Sequence, residues 1–463
     1  MIQHVLLYIL CMFFVNNGVM YADVSIHDVS QLETAQVKRI YTPASVQELQ
    51  AIVQCAPYPI AVAGGRFSQG GHIWYEGGVV IDMSRLNQVV QLDVENKKIT
   101  VGAGATWHQI QRAIDPFGLS IRVMQSYNDF SVGGSLSVNV HSRTIIDGAL
   151  IETIESIKLV MADGSLVTAS RSENHMLFKA AIGGYGAIGI IAEVTLLLTD
   201  NVVIERHEVV VPLCLYKEFF DHMIRHNGEV VFHNGDLSTS DFTKVNCVTW
   251  YKSSKLCTTN DRLQNAKLFS FDYFGFQLAR YLHVLQQIRL PLQVIKSDDK
   301  VVRRNYEMST SVSTVEPLTR LFTTTVLQEY FIPCQAIEHF VEQMHEIVKK
   351  YNVNMLNISI RYIHRDTESI LAYAQKEESF ALVCYINMTN NYAGLKKAEQ
   401  WTRELIDCAL SFGGTYYLPY QLHAAPEQFR AAYPRYRELL AIKKQVDPDN
   451  RFMNSFLQKY VQD

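Results

Sequence analysis

The sequence predicts an α+β protein of two domains, and three observations point there. At 463 residues the chain is too long for one simple core. Its first 200 residues alternate short apolar runs with helical-period stretches, punctuated by glycine-rich turns. After Thr199 the texture changes to longer alternating stretches, "HEVVVPLCLY" and "FALVCYINMT", separated by amphipathic helices.

The elements follow in chain order. An N-terminal apolar run, Val5 to Val15, is stopped by Asn16 and Asn17; it is too short to span a bilayer but suits the core of a signal peptide over residues 1–22. Ala22 offers a small residue for cleavage, whereas "MIQH" lacks Lys or Arg and Met20 is bulky, so a buried N-terminal element is the alternative. "SVQELQAIVQCA" has helical spacing behind a Ser45 cap. "IAVAG", "VVIDM" and "KITVGAG" read as short strands, and "TWHQIQRAIDPFG" as a helix closed by Gly118. "IESIKLVMADGSLVTAS" is a hairpin across an Asp-Gly turn, and "MLFKAAIGGYGAIGIIAEVTLLL" a helix, a glycine turn and a strand. The aromatic segment "LFSFDYFGFQLARYLHVL" has the spacing of a buried cap helix, with a lipid-facing or substrate-facing surface as the alternative.

Composition narrows the function. With 48% apolar residues, 19% charged and a net charge of -4, the chain gives no reason to expect nucleic acid. Its eight cysteines are scattered without a CxxC and do not read as a disulfide framework, and no metal-ligand spacing appears. The informative stretch is "AVAGGRFSQGGH", residues 61–72. A run of glycines lets backbone N–H groups approach an anion without Cβ atoms in the way. A long irregular hairpin loop is the plainer reading of that segment alone.

Taken together, "AVAGGRFSQGG", "VVIDMSRLN", "VGAGATW", "SVGGSLSVNVHS", "MADGS" and "IGGYGAIGII" resemble, in order, the flavin domain of the vanillyl-alcohol oxidase superfamily. The tail "YLPYQLHAAPEQFRAAYP…VDPDNRF" is similar to that of decaprenylphosphoryl-ribose oxidase, beside the alditol and aldonolactone oxidases. The resemblance implies a two-subdomain PCMH-type FAD-binding domain over 23–200, a substrate (cap) domain on an antiparallel sheet over 201–415, and a segment returning to the FAD domain over 416–463. It implies cofactor contacts at Gly64, Gly65, Arg66, Phe67, Ser68, Gly70 and Gly71, at Gly133, Gly134, Ser137, Asn139 and His141, and at Gly184, Gly189 and Ile190. Many relatives attach the flavin through a histidine where this chain has Phe67, so noncovalent FAD is expected, with His72 a poorly placed substitute.

The implied activity is oxidation of a CH–OH group of a sugar, polyol or lactone, with oxygen or another electron acceptor and no stable membrane span. It calls for a proton acceptor at the hydroxyl and positive charge by the flavin. "NISIRYIH" puts Ser359 and Arg361 on one strand face, and "YYLPYQLHA" supplies Tyr420 and His423. Arg361, Tyr420 and His423 are therefore the catalytic candidates, Tyr420 standing where the ribose oxidase has a lysine. A surface ion pair for Arg361 and a backbone-bonded histidine for His423 stay open, and Glu329 with Tyr330 reads as a satisfied core pair. A flavin-binding protein without turnover and a flavin reductase of the peptidoglycan-precursor type are the alternative functions.

Overall fold

The computed structural model describes residues 23–264, 300–317 and 319–462. The signal-peptide reading and the aromatic segment at 268–285 lie outside them. Among the described residues no helix is long and apolar enough to cross a membrane.

Three sheets are described in the N-terminal half: a two-stranded pair, Val24–His27 with Thr34–Val37, and two larger ones. In the first of the larger two, the parallel strands Arg39–Tyr41, Val79–Asp82 and Ile60–Ala63 pack against helix Val46–Cys55. That helix starts at Ser45, whose Oγ accepts the Glu48 N–H at 3.1 Å, and buries Val46, Leu49, Ile52 and Val53. Cys55 is disulfide-bonded, a bridge the scattered spacing did not suggest.

The second sheet is antiparallel. Its order is Leu166–Ser170, Ile154–Val160, Ile190–Asp200, Lys98–Gly102 and Val89–Asp93, and Leu119–Ile121 also pairs with the central strand. The hairpin closes at Gly164, whose φ of 81° is left-handed. Helix Trp107–Ile114 carries a reciprocal Thr106/Gln109 cap, and Gly118 at φ 70° ends the turn after it.

The C-terminal half is an antiparallel sheet of eight strands: Val301–Arg303, Val203–Pro212, Lys244–Lys252, Val230–Leu237, Asn354–Ile363, Ser379–Thr389, Thr323–Pro333 and Thr415–Tyr416. Helices Leu213–Met223, Ile337–Lys350 and Tyr392–Ser411 accompany it. Strand alternation sorts the side chains by face. Ile358, Ile360 and Tyr362 are buried, Tyr362 against Phe220, while Ser359 and Arg361 face a cavity. The chain leaves this sheet at Tyr416 and later returns to the first sheet. There Ile60 N–H donates to Arg451 O at 2.6 Å and Met453 N–H to Ile60 O at 3.0 Å. This is the α+β, PCMH-type architecture that the motif order implied.

Candidate active site

A cavity of about 480 Å³ lies where the small sheets, the large sheet and the returning tail meet. That is a ligand-sized volume. One wall is mostly backbone. Gly64, Gly65, Arg66, Phe67, Ser68, Gly133, Gly134, Ser137, Gly189 and Ile190 all line it, with Tyr185 and Gly186 nearby and Met453 and Asn454 from the tail.

The two glycine loops of this wall pack on each other. A Cβ on Gly64 would lie 2.1 Å from Ser131 Oγ, and Gly65 N–H reaches the same hydroxyl at 3.3 Å. Gly133 N–H donates to Ala103 O at 2.8 Å, and a Cβ there would meet that oxygen at 2.9 Å. Contacts within the chain already demand small residues here, from the Phe67 ring at 2.8 Å for Gly65 and from Ala103 for Gly133.

Several implied cofactor contacts lie elsewhere. The Arg66 guanidinium is held by Asp82 at 2.7 Å, so its charge is already balanced. Gly70 and Gly71 do not line the cavity. Gly70 N–H donates to the buried Asp28 carboxylate at 3.0 Å, and Gly71, at φ 73°, packs on Ser455. Asn139 accepts Ile151 N–H at 3.0 Å and donates to Asp366 at 3.1 Å, tying the two domains together instead of facing the cavity. A Cβ on Gly184 would collide with Ala180 O at 1.9 Å, a helix-turn constraint away from the cavity. His141 lies behind the wall.

The remaining wall still fits FAD. Arg66 has φ 60°, and the N–H groups of Phe67 and Ser68 have no partner among the described residues, an arrangement that presents donors to an anion. His72 Nδ1, Asn234 Oδ1, Arg320 Nε and Arg361 Nε are buried polar atoms without hydrogen-bond partners among the described residues, all on cavity-lining residues. The Phe67 ring packs on Phe130 at 4.4 Å and has no nucleophile to offer. His72 lines the cavity, but its Nε2 donates to Leu418 O at 2.8 Å, and burial lowers its pKa to about 4.

The opposite wall is made of side chains. Ser359, Arg361, Tyr385, Asn234, Arg143 and Tyr420 line it. Arg361 Nη2 donates to Ser126 Oγ at 3.1 Å, and burial lowers its pKa while the Glu329 carboxylate opposes that shift. Tyr420 Oη donates to Glu329 Oε2 at 3.1 Å, while His141 Nε2 meets the other oxygen, Glu329 Oε1. Burial, with the Glu329 carboxylate adding to it, raises the Tyr420 phenol well above its usual pKa.

Arg361 and Tyr420 are therefore brought to the cavity, and His423 is not. Its Nε2 donates to Gln421 Oε1 at 3.0 Å, its backbone oxygen accepts from Arg403 Nε at 2.7 Å, and burial lowers its pKa to about 4. The step from Tyr420 to His423 carries the chain out of the cavity, a turn that no local pattern records. Glu329 is also corrected, since it contacts the cavity-lining Tyr420 and, behind it, His141, while Tyr330 is buried in the core with no partner for its hydroxyl among the described residues. Glu329 had a signal after all: a carboxylate inside the apolar strand "VLQEYFIP" needs a partner. Arg143, two residues past His141, and Asn234 carried no such signal.

A PCMH-like pair of sheets, a backbone-lined cavity and a side-chain wall from an antiparallel sheet define an FAD-dependent oxidoreductase acting on CH–OH groups. Comparison with known proteins agrees. Residues 37–170 match the family model described as an FAD binding domain, and residues 246–460 match that of D-arabinono-1,4-lactone oxidase. L-gulonolactone oxidase of Mus musculus is 24% identical over 440 residues, covering 90% of this chain and 94% of that protein. L-gulono-1,4-lactone dehydrogenase of Mycobacterium tuberculosis is 22% identical over 390 residues, covering 83% and 86%. Alditol oxidase of a Streptomyces species is 27% identical over 180 residues, covering 38% and 42%. The chain thus combines an FAD binding domain with a D-arabinono-1,4-lactone oxidase domain, and its relatives are the aldonolactone and alditol oxidases of the branch that the motifs resembled.

Proposed function

We propose that this enzyme oxidises a secondary CH–OH carbon of a sugar-derived lactone. The observation that carries the reading is the wall on which Arg361 and Tyr420 face one cavity with Ser359, Asn234 and Arg143 beside them. Such a wall suits a small ligand rich in hydroxyl and carbonyl oxygens, and relatives that span the chain are named for gulonolactone. The lactone is favoured over an open polyol because the alditol oxidase match covers the smaller share of the chain.

The FAD would be held by the Gly64–Ser68 loop, the Gly133–Ser137 segment, Gly189, Ile190 and Asn454, and when bound it supplies the acceptor for the substrate hydride. Phe67 and Ser68 offer backbone N–H groups to its pyrophosphate. Arg361 supplies positive charge inside the cavity where negative charge develops, and Ser126 fixes its orientation. Tyr420 meets the substrate hydroxyl and takes up its proton.

Anaerobic addition of aldonolactones, polyols and aldoses to the purified holoenzyme tests the reading. Bleaching of the flavin band by a lactone is expected, and a band unchanged by every member of the panel would overturn it. The same assay followed by oxygen or a dye identifies the electron acceptor. FAD is noncovalent in this reading, so acid precipitation should release it; a yellow band on denaturing gels would reverse that. Export rests on residues 1–22, and N-terminal sequencing of protein from the native source tests cleavage after Ala22.

A further inference from the structure

We infer that Glu329 is the terminal acceptor of the substrate's hydroxyl proton, reached through Tyr420 and held in position by His141. The inference rests on the reading of Tyr420 as the residue that meets that hydroxyl.

Three segments far apart in sequence converge on one carboxylate. Tyr420 comes from the returning tail and lines the cavity. Glu329 sits in the middle of strand Thr323–Pro333, 2% exposed, and His141 follows the second glycine loop, 5% exposed. Neither Glu329 nor His141 lines the cavity, and among the described residues the Tyr420 hydroxyl is the cavity-lining group hydrogen-bonded to the Glu329 carboxylate. The contacts occupy both carboxylate oxygens, Oε2 taking the Tyr420 hydrogen and Oε1 facing His141 Nε2. The His141 ring is enclosed by Phe331, Tyr373 and Tyr417, with centroids 5.7, 5.9 and 6.1 Å away, which fixes the direction of Nε2.

This arrangement suits transfer better than storage of a phenolate. Burial and the neighbouring carboxylate both oppose ionisation of Tyr420. A tyrosine that passes one proton on as it receives another never needs to ionise. The balance is complete. The substrate O–H bond breaks and its proton joins Tyr420 Oη, while the proton Tyr420 held moves to Glu329 Oε2. With FAD bound, the cofactor would supply the hydride acceptor, so that the carbinol carbon would be oxidised to a carbonyl as the proton leaves. Glu329 thus ends neutral, with His141 still on its other oxygen. The titratable and charged groups that face Glu329 are His141, Tyr420, Arg361, Tyr373, Tyr417, Tyr433 and Cys384.

The test is anaerobic stopped-flow reduction of the holoenzyme across pH, comparing wild type with Glu329→Gln and His141→Gln. Glutamine keeps the shape of Glu329 and cannot take the proton. Glu329→Gln should slow reduction by about 100-fold or more with FAD content unchanged, and should abolish the limb on which the wild-type rate rises with pH. His141→Gln, a positioning change, should move that limb and lose less rate. A wild-type rate and limb in Glu329→Gln, while Tyr420→Phe is slow, would overturn the relay and leave the oxidase reading intact. Should Glu329→Gln fail to fold, the infrared difference spectrum of wild type on anaerobic reduction decides: a new protonated-carboxyl stretch supports the relay, and its absence overturns it. A wild type that no sugar-derived alcohol reduces removes both the oxidase reading and the relay.

Discussion

The two walls of the cavity are built by opposite means. The wall proposed to hold the flavin uses backbone from three loops of the N-terminal half, where closeness matters more than side-chain identity. The opposite wall uses side chains of Arg361 and Asn234 from strands of the large sheet and Tyr420 from the tail, with Arg143 added from a loop of the N-terminal half. A backbone site is specified by what is missing from it, and a side-chain site by what is present. Substitutions should therefore affect binding and folding together on the first wall, and rate alone on the second.

The strongest test of that division is Tyr420→Phe. Removing the hydroxyl should lower the flavin-reduction rate by about 10²–10⁴-fold in stopped-flow measurements, with FAD retained. Loss of FAD instead would place Tyr420 in the binding wall. Arg361→Ala comes next, with an expected loss on the order of 100-fold, or about 3 kcal/mol of transition-state stabilisation, at unchanged flavin content.

Acid stability sharpens the comparison from the flavin side. The pKa of His72 is lowered to about 4 when folded, so between its unfolded value and about 4 the unfolded chain binds the extra proton. The stability this neutral imidazole gives is present above about 6.5 and is lost as pH falls toward 4, on the order of 3 kcal/mol. Chemical denaturation of wild type and His72→Gln at pH 7.5 and 4.5 (about those values) should show the wild type losing more. Equal losses would mean that another group controls acid unfolding.

Gly133→Val follows, at about 1–3 kcal/mol, because the added atoms meet Ala103 O. Thermal melts of FAD-free protein should already show the loss; a variant destabilised only in its FAD affinity would return the glycine to the ligand. The smallest effect belongs to His423→Ala, expected to change the reduction rate less than about 2-fold, since His423 lies off the cavity. A large loss there would move proton transfer away from Tyr420.

The same contrast explains what the sequence revealed. Glycine motifs in fixed order announced the flavin wall because close loop packing constrains composition locally; Gly64, Gly65, Gly133 and Gly189 all fall within it. The reading overreached at Gly70, Gly71 and Gly184, where glycine serves a buried carboxylate, a tail contact and a helix turn. The substrate wall was legible only where strand alternation applies, as for Ser359 and Arg361. The meeting of Glu329, His141 and Tyr420 depends on three chain segments about 90 to 280 residues apart, and no local pattern records it. His423 failed for the same reason. Chemical suitability singled it out, but the backbone turns its ring from the cavity.

The return of the tail to the first sheet has a consequence for how the enzyme is made. Ile60 is held between Arg451 and Met453, Arg451 donates to Ala56 O at 2.9 Å, and Asn454 lines the cavity. The ribosome completes the glycine loop nearly 400 residues before it completes this clasp. A nascent chain therefore carries an unfinished flavin pocket through most of its synthesis, and a product truncated before Arg451 has every glycine motif yet lacks part of the pocket wall. Completion of the pocket is therefore a late event in biosynthesis, and the flavin content of a chain truncated before Arg451 would measure how far the cofactor depends on it.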